Sequence, residues 1–425
     1  MVVTSALLLA LVVRVGFVLA TRNYVPKTDS ADYQRIAESV ASGHGFGPSV
    51  VAPGGGASAF RPPLYPITLG LFYKVVGVHI GLARLAQAFL GTVTVALTGL
   101  LALRLFGRRV AAVTLFLAAV YPPLVFNGGA LLTESLAIPL EVGAVLAALH
   151  VRRSSQPTRW AALAGALAGL GILDRPNSAL LLVPFVMLAA GGRRDGWDAI
   201  RRAALLVGVA ALMLVPWLVR DYRTFDAFVP LTNQSGLVMS GTYNSTSAND
   251  ATYPAGWRPA TLVPEYAAIM VAHPQMNELE MERRFRAEAL SYLQHHPAYT
   301  AKVAFWNTLR LFDLSDRQIS RIGVRDIGYG RQVADVWAYS FYALAGFSLA
   351  GAVLARRTAT PRAVWLVPVF VVLSIVFLQG FTRLRAGIEP FLVLLAAIAL
   401  ERLLRIVLAR RVSVARSQLP VTNTE

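Results

Sequence analysis

Of the 425 residues, 56% are hydrophobic and only 15% charged, and the mean hydropathy of +0.55 is too apolar for a soluble globule of this length. The net charge of +17 does not mark a nucleic-acid binder, because the arginines fall in short clusters between apolar runs instead of along one soluble face. With no cysteine, disulfides, thiol nucleophiles and cysteine-ligated metals are excluded.

The chain opens with an apolar run, Val2 to Ala20, that lacks a basic n-region and carries Arg14 in its middle. It reads as a retained first span rather than a signal peptide. An arginine within a span costs roughly 2.5 to 3.5 kcal/mol unless it faces the bundle interior or snorkels, so Arg14 is expected to face inward. Two carboxylates, Asp29 and Asp32, follow where the chain first emerges, ahead of a short helical pattern (Tyr33, Ile36, Ala37, Val40) that Asp29 could cap. The glycine-rich run from Gly43 to Gly56 has no G-x-x-x-x-G-K-[ST] and no preceding strand, which favours a flexible or close-packed loop over a phosphate cradle. After Arg61 to Pro66 (R-P-P-L-Y-P) comes an apolar segment, Ile67 to Val78, too short to span and read as re-entrant or interfacial.

Arginine clusters then recur at alternate junctions: Arg104, Arg108 and Arg109; Arg152, Arg153 and Arg159; Arg193, Arg194, Arg201 and Arg202; Arg356, Arg357 and Arg362; Arg405, Arg410, Arg411 and Arg416. The positive-inside rule makes these junctions cytoplasmic. The predicted spans between them are 82–104, 110–126, 130–150, 160–173, 178–191, 203–219, 333–355, 363–379 and 388–408. With the first span this gives an all-α polytopic membrane protein of about ten transmembrane helices, both termini cytoplasmic. The division expected is a membrane module over 1–219, with its first external loop at 21–62, an external subdomain over 220–332, and a second membrane module and tail over 333–425. The external stretch should hold an amphipathic helix at 275–294 and an interfacial one at 299–312. The adjacent His295 and His296 lack the spacing of a metal site, and the sequons at Asn233 and Asn244 read as ordinary loop polar residues.

This topology puts the remaining polar motifs on the extracytoplasmic side: Asp29 and Asp32; Arg61; Thr133 to Ser135 (T-E-S); Asp174 to Asn177 (D-R-P-N); Pro216 to Tyr222 (P-W-L-V-R-D-Y); and Thr382 to Pro390 (T-R-L-R-A-G-I-E-P). Any one of them could be a capped helix end or an arginine reaching lipid headgroups, but together they point to a site. Asp29 is expected to act there as a catalytic base at the membrane surface.

In order along the chain, D-x-x-x-Y with its G-x-G-rich loop (Asp29, Tyr33, Gly43 to Gly47), F-R-P-P-L-Y-P, R-L-F-G-R-R, Y-P-P with T-E-S downstream, L-D-R-P-N, P-W-L-V-R-D-Y, H-P-A-Y and R-L-R-A-G-I-E-P give a pattern running nearly end to end. In this pattern the chain resembles bacterial members of the protein O-mannosyltransferase and lipid A aminoarabinose transferase superfamily, glycosyltransferases of the GT-C membrane fold. The resemblance implies an inverting transferase in a bacterial plasma membrane. It would move a sugar from a polyprenyl-phosphate donor to a hydroxyl acceptor (glycolipid, polysaccharide or protein) on the extracytoplasmic face, with Asp29 at the place of the base, taking the acceptor's proton, and Asp32 secondary. The phosphate leaving group that the resemblance implies needs charge neutralisation, for which Arg383 and Arg385 are the first candidates and Arg61, Arg175 and Arg220 the next. Glu134 and Glu389 would orient these arginines or bind sugar hydroxyls, with Tyr33 alongside. Many members follow the base with Glu where this chain has Ser30, and the aminoarabinose transferase has an acidic residue where Phe60 precedes the retained Arg61. The first departure counts against a paired-carboxylate or metal-assisted site, so no cofactor is expected, with a divalent metal as the disfavoured alternative. A transporter or flippase of lipid-linked sugars and a non-catalytic scaffold are the alternatives from other classes; the first would be expected to carry midplane charges and internal repeats.

Overall fold

The structure is a computed structural model that describes residues 1–49, 56–191, 196–356, 358 and 360–417. Arg193, Arg194 and Arg357 of the arginine clusters, residues 50–55 of the glycine-rich run, and the tail beyond residue 417 lie outside them. Every regular element among the described residues is helical. In chain order these are α1 (Val2–Ala20), α2 (Asp29–Ala41), α3 (Leu64–Val76), α4 (Ile80–Phe106), α5 (Arg108–Val120), α6 (Pro122–Gly129), α7 (Glu134–Val151), α8 (Pro157–Asp174), α9 (Leu182–Ala190) and α10 (Gly196–Phe225). The long stretch between α10 and the closing helices follows with α11 (Ser235–Ser240), α12 (Ser245–Asn249), α13 (Pro264–Ala272), α14 (Glu278–His295), α15 (Tyr299–Leu311) and α16 (Arg317–Arg325). The chain closes with α17 (Arg331–Ala355), α18 (Arg362–Val376) and α19 (Glu389–Ser417).

Five helices, α1, α4, α7, α10 and α17, are long and apolar enough to cross a bilayer, and α5 with α6 makes a sixth if the bent pair is one span. The other expected spans coincide with α8, the shorter apolar segment Pro176–Ala190, α18 and α19, so helices stand at each expected position. The span expected at 110–126 is two helices meeting at 50°. Pro122 and Pro123 are the cause: a residue before proline is pushed out of the helical region, and Tyr121 is extended. The segment expected to be re-entrant is α3, and the two external helices predicted at 275–294 and 299–312 stand as α14 and α15. Small residues set the packing where apolar side chains gain little from leaving lipid. Gly165 lets α8 sit against the Leu206 carbonyl of α10, and Gly351 lets α17 sit against the Leu395 carbonyl of α19, with no room for a Cβ at either.

Two buried arginines tie the helix ends that position the site. Arg14 faces inward and donates to the carbonyls of Ala118 (3.2 Å) and Ala119 (3.0 Å), the orphan acceptors of the last turn of α5 at the bend. Arg84 of α4 donates to Gly129 O at 2.6 Å and to Thr21 O at 2.8 Å, joining the ends of α6 and α1. Each guanidinium also sits at the negative end of a helix dipole, which offsets part of its burial cost. Arg84→Leu should leave the buried Gly129 carbonyl without this donor, at about 1 to 3 kcal/mol, and cut the tie to Thr21, whose carbonyl keeps the Tyr24 N–H. The expected result is a melting temperature in detergent lower by several degrees with membrane insertion unchanged; an unshifted melting curve would mean that Arg84 is not the staple.

Candidate active site

The site starts from the first turn of α2. Asp29 and Asp32 lie three residues apart and therefore on one helix face, where a single guanidinium can bridge them. Arg61 does so, with Nη2 at 2.8 Å from Asp29 Oδ1 and Nε at 2.6 Å from Asp32 Oδ2. Its guanidinium lies over the rings of Tyr33 at 5.3 Å and Phe60 at 5.2 Å. Asp32 also accepts from the Ser49 hydroxyl at 2.7 Å and is fully buried, whereas the Asp29 side chain keeps 26% of its surface exposed. Only the first of the two carboxylates can meet an incoming molecule.

Arg383 reaches the same place from the 3-10 turn Thr382–Ile388, pairing with Asp29 Oδ2 and lying 3.5 Å from Glu134 Oε1. Glu134 opens α7, is fully buried, and is 3.4 Å from Arg175 Nη1. The fold thus brings together Asp29, Asp32, Tyr33, Arg61, Glu134, Arg175 and Arg383 from five separate stretches of chain. Beneath them Asp174 is buried, and neither of its carboxylate oxygens has a hydrogen-bond partner among the described residues.

Three residues expected in the site are held elsewhere. Arg385 is fully buried on the face of Phe341 at 3.6 Å, donating to Glu389 Oε1 (2.6 Å), Asp313 Oδ2 (2.8 Å) and Leu311 O (2.7 Å). Glu389 accepts from Arg385 and from the Tyr121 hydroxyl at 2.8 Å, so this pair secures the turn that carries Arg383. Arg220 donates to Ser58 O and Asp221 Oδ1, both at 2.7 Å, and stacks on Trp217, pinning the loop ahead of α3 to α10.

That loop has a second anchor that sequence reasoning missed. Glu278, buried at the start of α14, accepts from the Ser58 hydroxyl (2.8 Å), the Ala59 N–H (2.7 Å) and the Asn233 amide (2.8 Å). Phe60 is packed in a buried cluster with Tyr266, Met276 and Phe285, from α13 to α14. The residues just ahead of Arg61 are therefore fixed by elements more than two hundred positions away, and no local signal in the sequence announces it.

Burial alone would raise the Asp29 carboxyl, but Arg61 and Arg383 reverse this and hold it well below the usual carboxylate range. Burial likewise lowers the Arg383 guanidinium on its own, and Asp29 and Glu134 raise it on balance. Both Asp29 oxygens face guanidinium groups, so the donor set fits an anion's partners and not a divalent cation's ligands. Among the described residues no three acidic or histidine side chains converge as a metal cage.

Residues 60–219, less than half of the chain, match the family described as dolichyl-phosphate-mannose-protein mannosyltransferase. The match includes Arg61, Glu134 and Arg175 but not Asp29 or Arg383. No curated protein matches the sequence. Among solved structures the whole chain superposes on the Archaeoglobus fulgidus oligosaccharyltransferase AglB, in complex with an inhibitory peptide and a dolichol-phosphate, at 15% identity and a TM-score of 0.55. The same enzyme tethered to an acceptor peptide gives 16% identity and a TM-score of 0.54 over 94% of this chain and 49% of that one. The chain spans about half (52%) of the length of AglB. ArnT from Cupriavidus metallidurans, bound to undecaprenyl phosphate, matches 94% of this chain and 75% of its own at 19% identity, with a TM-score of 0.34. The protein has the GT-C fold of multi-pass membrane proteins.

The Glu278 anchor is testable on its own. Glu278→Ala removes the acceptor of three buried donors, at about 1 to 3 kcal/mol for each that stays unsatisfied. It should make the loop 42–63 cleavable by limited proteolysis under conditions that leave the parent protein intact; an unchanged digestion pattern would show that Arg220 and Phe60 suffice.

Proposed function

We propose that the protein is a polyprenyl-phosphate-sugar-dependent glycosyltransferase acting, with inversion, at the extracytoplasmic face of a bacterial plasma membrane. The observation that carries this reading is Asp29, the one partly open carboxylate of a buried cluster, held between two arginines at the head of α2. The fold match to an enzyme seen with dolichol-phosphate and the family match over residues 60–219 support a lipid-phosphate donor. The acceptor is a hydroxyl on a glycolipid, polysaccharide or protein.

In the reaction the acceptor oxygen gives its proton to Asp29 and forms a bond to the anomeric carbon from the face opposite the phosphate. The carbon–oxygen bond to phosphate breaks, and polyprenyl phosphate leaves with the electron pair. A single displacement requires one base and a neutralised leaving group, not a second catalytic carboxylate. Asp29 is a poor base while both of its oxygens are paired with arginine. The donor phosphate competes for those guanidiniums, and Arg383, which already bridges Asp29 and Glu134, is the one placed to change partners. Donor binding would then raise the basicity of Asp29 when it is needed. Asp32 keeps Arg61 in place, a positioning role consistent with its complete burial.

Asp29→Asn should insert and fold normally while losing about 10² to 10⁴-fold in transfer, the usual range for a general base. Asp32→Asn should lose less rate and more stability. The assay follows covalent transfer from a purified lipid-linked sugar in proteoliposomes, which also separates a transferase from a flippase. Near-normal turnover of the Asp29 variant would remove it as the base, and movement of intact donor across the bilayer without transfer would replace the enzyme reading by the transport one.

A further inference from the structure

The paired state of the arginines raises a question of charge. Asp29, Asp32 and Glu134 stand against Arg61, Arg175 and Arg383, three carboxylates for three guanidiniums, so the cluster has no unmatched cation to attract a phosphate. Immediately beside it lies an open cavity of about 330 Å³ lined by Lys27, Thr28, Ile322, Arg325 and Asp326. Its volume lies in the range of small-ligand sites, roughly 300 to 1,000 Å³. Lys27 and Arg325 are exposed, and neither has an ion pair among the described residues. Against the single carboxylate of Asp326, the rim is a net positive surface.

We infer that this cavity is the site for the donor's phosphate group, held by Lys27 and Arg325, which the motifs of the sequence do not single out. The inference rests on the transferase reading for the identity of the donor. Three features of the chain build the site. Thr28, a β-branched residue, sits at a φ of +45°, a backbone conformation such residues avoid, and its hydroxyl donates to Asp326 O at 2.7 Å. This joins the two walls of the cavity at the residue next to Asp29. Ser30 donates to Lys27 O at 2.8 Å and accepts from Lys27 N–H at 2.9 Å, fixing the lysine backbone. An ionised glutamate at position 30 could accept but not donate, so the serine suits a chain that uses Lys27. Finally, α16, which ends at Arg325, packs on the turn that carries Arg383: a Cβ on Gly323 would lie 3.6 Å from the Phe381 side chain and 3.8 Å from Thr382 N. An anion in the cavity is therefore flanked by Lys27 and Arg325 and adjoins the Asp29–Arg383 pair, where it can draw Arg383 away.

The test uses the full-length protein in nanodiscs with undecaprenyl phosphate as the probe and inorganic phosphate as a second arm. Lys27→Ala and Arg325→Ala should each weaken binding of the lipid about tenfold or more, as expected for a lost charge-assisted hydrogen bond. Lys27→Glu should abolish it, and Lys302→Ala, outside this cavity, should have no effect. Inorganic phosphate should compete weakly in the parent and not at all in Lys27→Glu. Unchanged lipid affinity in both alanine variants, with normal melting curves, would overturn the assignment even if the protein transfers sugar. Equal affinity for inorganic phosphate and the lipid would overturn the donor as occupant. Conversely, binding lost in these variants with no sugar transfer by the parent would uphold the site and refute the transferase reading.

Discussion

The fork of Arg61 between Asp29 and Asp32 is the contact on which the rest of the site depends. Burying charges is costly, and a buried pair repays the cost only when geometry is good and the remaining donors and acceptors are satisfied. Here one guanidinium serves two carboxylates of a single helix turn, with the rings of Tyr33 and Phe60 close to it. The arrangement requires the loop before Arg61 to arrive at one position only. Glu278 and Arg220 both secure it, and Phe60 locks it into a core with Tyr266, Met276 and Phe285.

The same fork makes the resting site chemically quiet. A carboxylate capped on both oxygens by arginine has little tendency to take a proton, and a cluster of balanced charge has little pull on anions. Substrate can change both conditions if its phosphate competes with Asp29 for Arg383. Buried Arg385, tied to Asp313 and Glu389 two residues along the same turn, keeps the base of that turn rigid while Arg383 exchanges partners. Of the two arginines of this turn, Arg385 is a structural pin, and Arg383 is the one that the proposed reaction requires to change partners.

Much of the frame was legible in the sequence. Hydropathy and arginine clusters placed helices where helices stand, and Arg14 faces inward, where the carbonyls at the end of α5 and that of Ala10 accept from it. The short helix at Tyr33 to Val40 was legible from its pattern, although Thr28 and not Asp29 stands at its N-cap, so that Asp29 lies within the first turn. The bend at Tyr121 was also present in the sequence, as two consecutive prolines, but a hydropathy window averages across them. What could not be read were partnerships that exist only after folding. Arg385 looked equivalent to Arg383 because each arginine of R-L-R sits in the same local context, yet Asp313 and Phe341 claim only one of them. Glu278 looked like one more acid on an amphipathic helix, and Lys27 and Arg325 like ordinary surface charges nearly three hundred residues apart.

The central claim is that Asp29 and a phosphate-bound lipid sugar meet across one anomeric carbon. It is tested most directly by a structure of the protein with an unhydrolysed polyprenyl-phosphate sugar bound. The account predicts the anomeric carbon between Asp29 and the phosphate, with Arg383 turned from Asp29 toward the phosphate oxygens. A donor whose sugar lies away from Asp29, or an Asp29 still capped by both arginines with the donor in place, would contradict it.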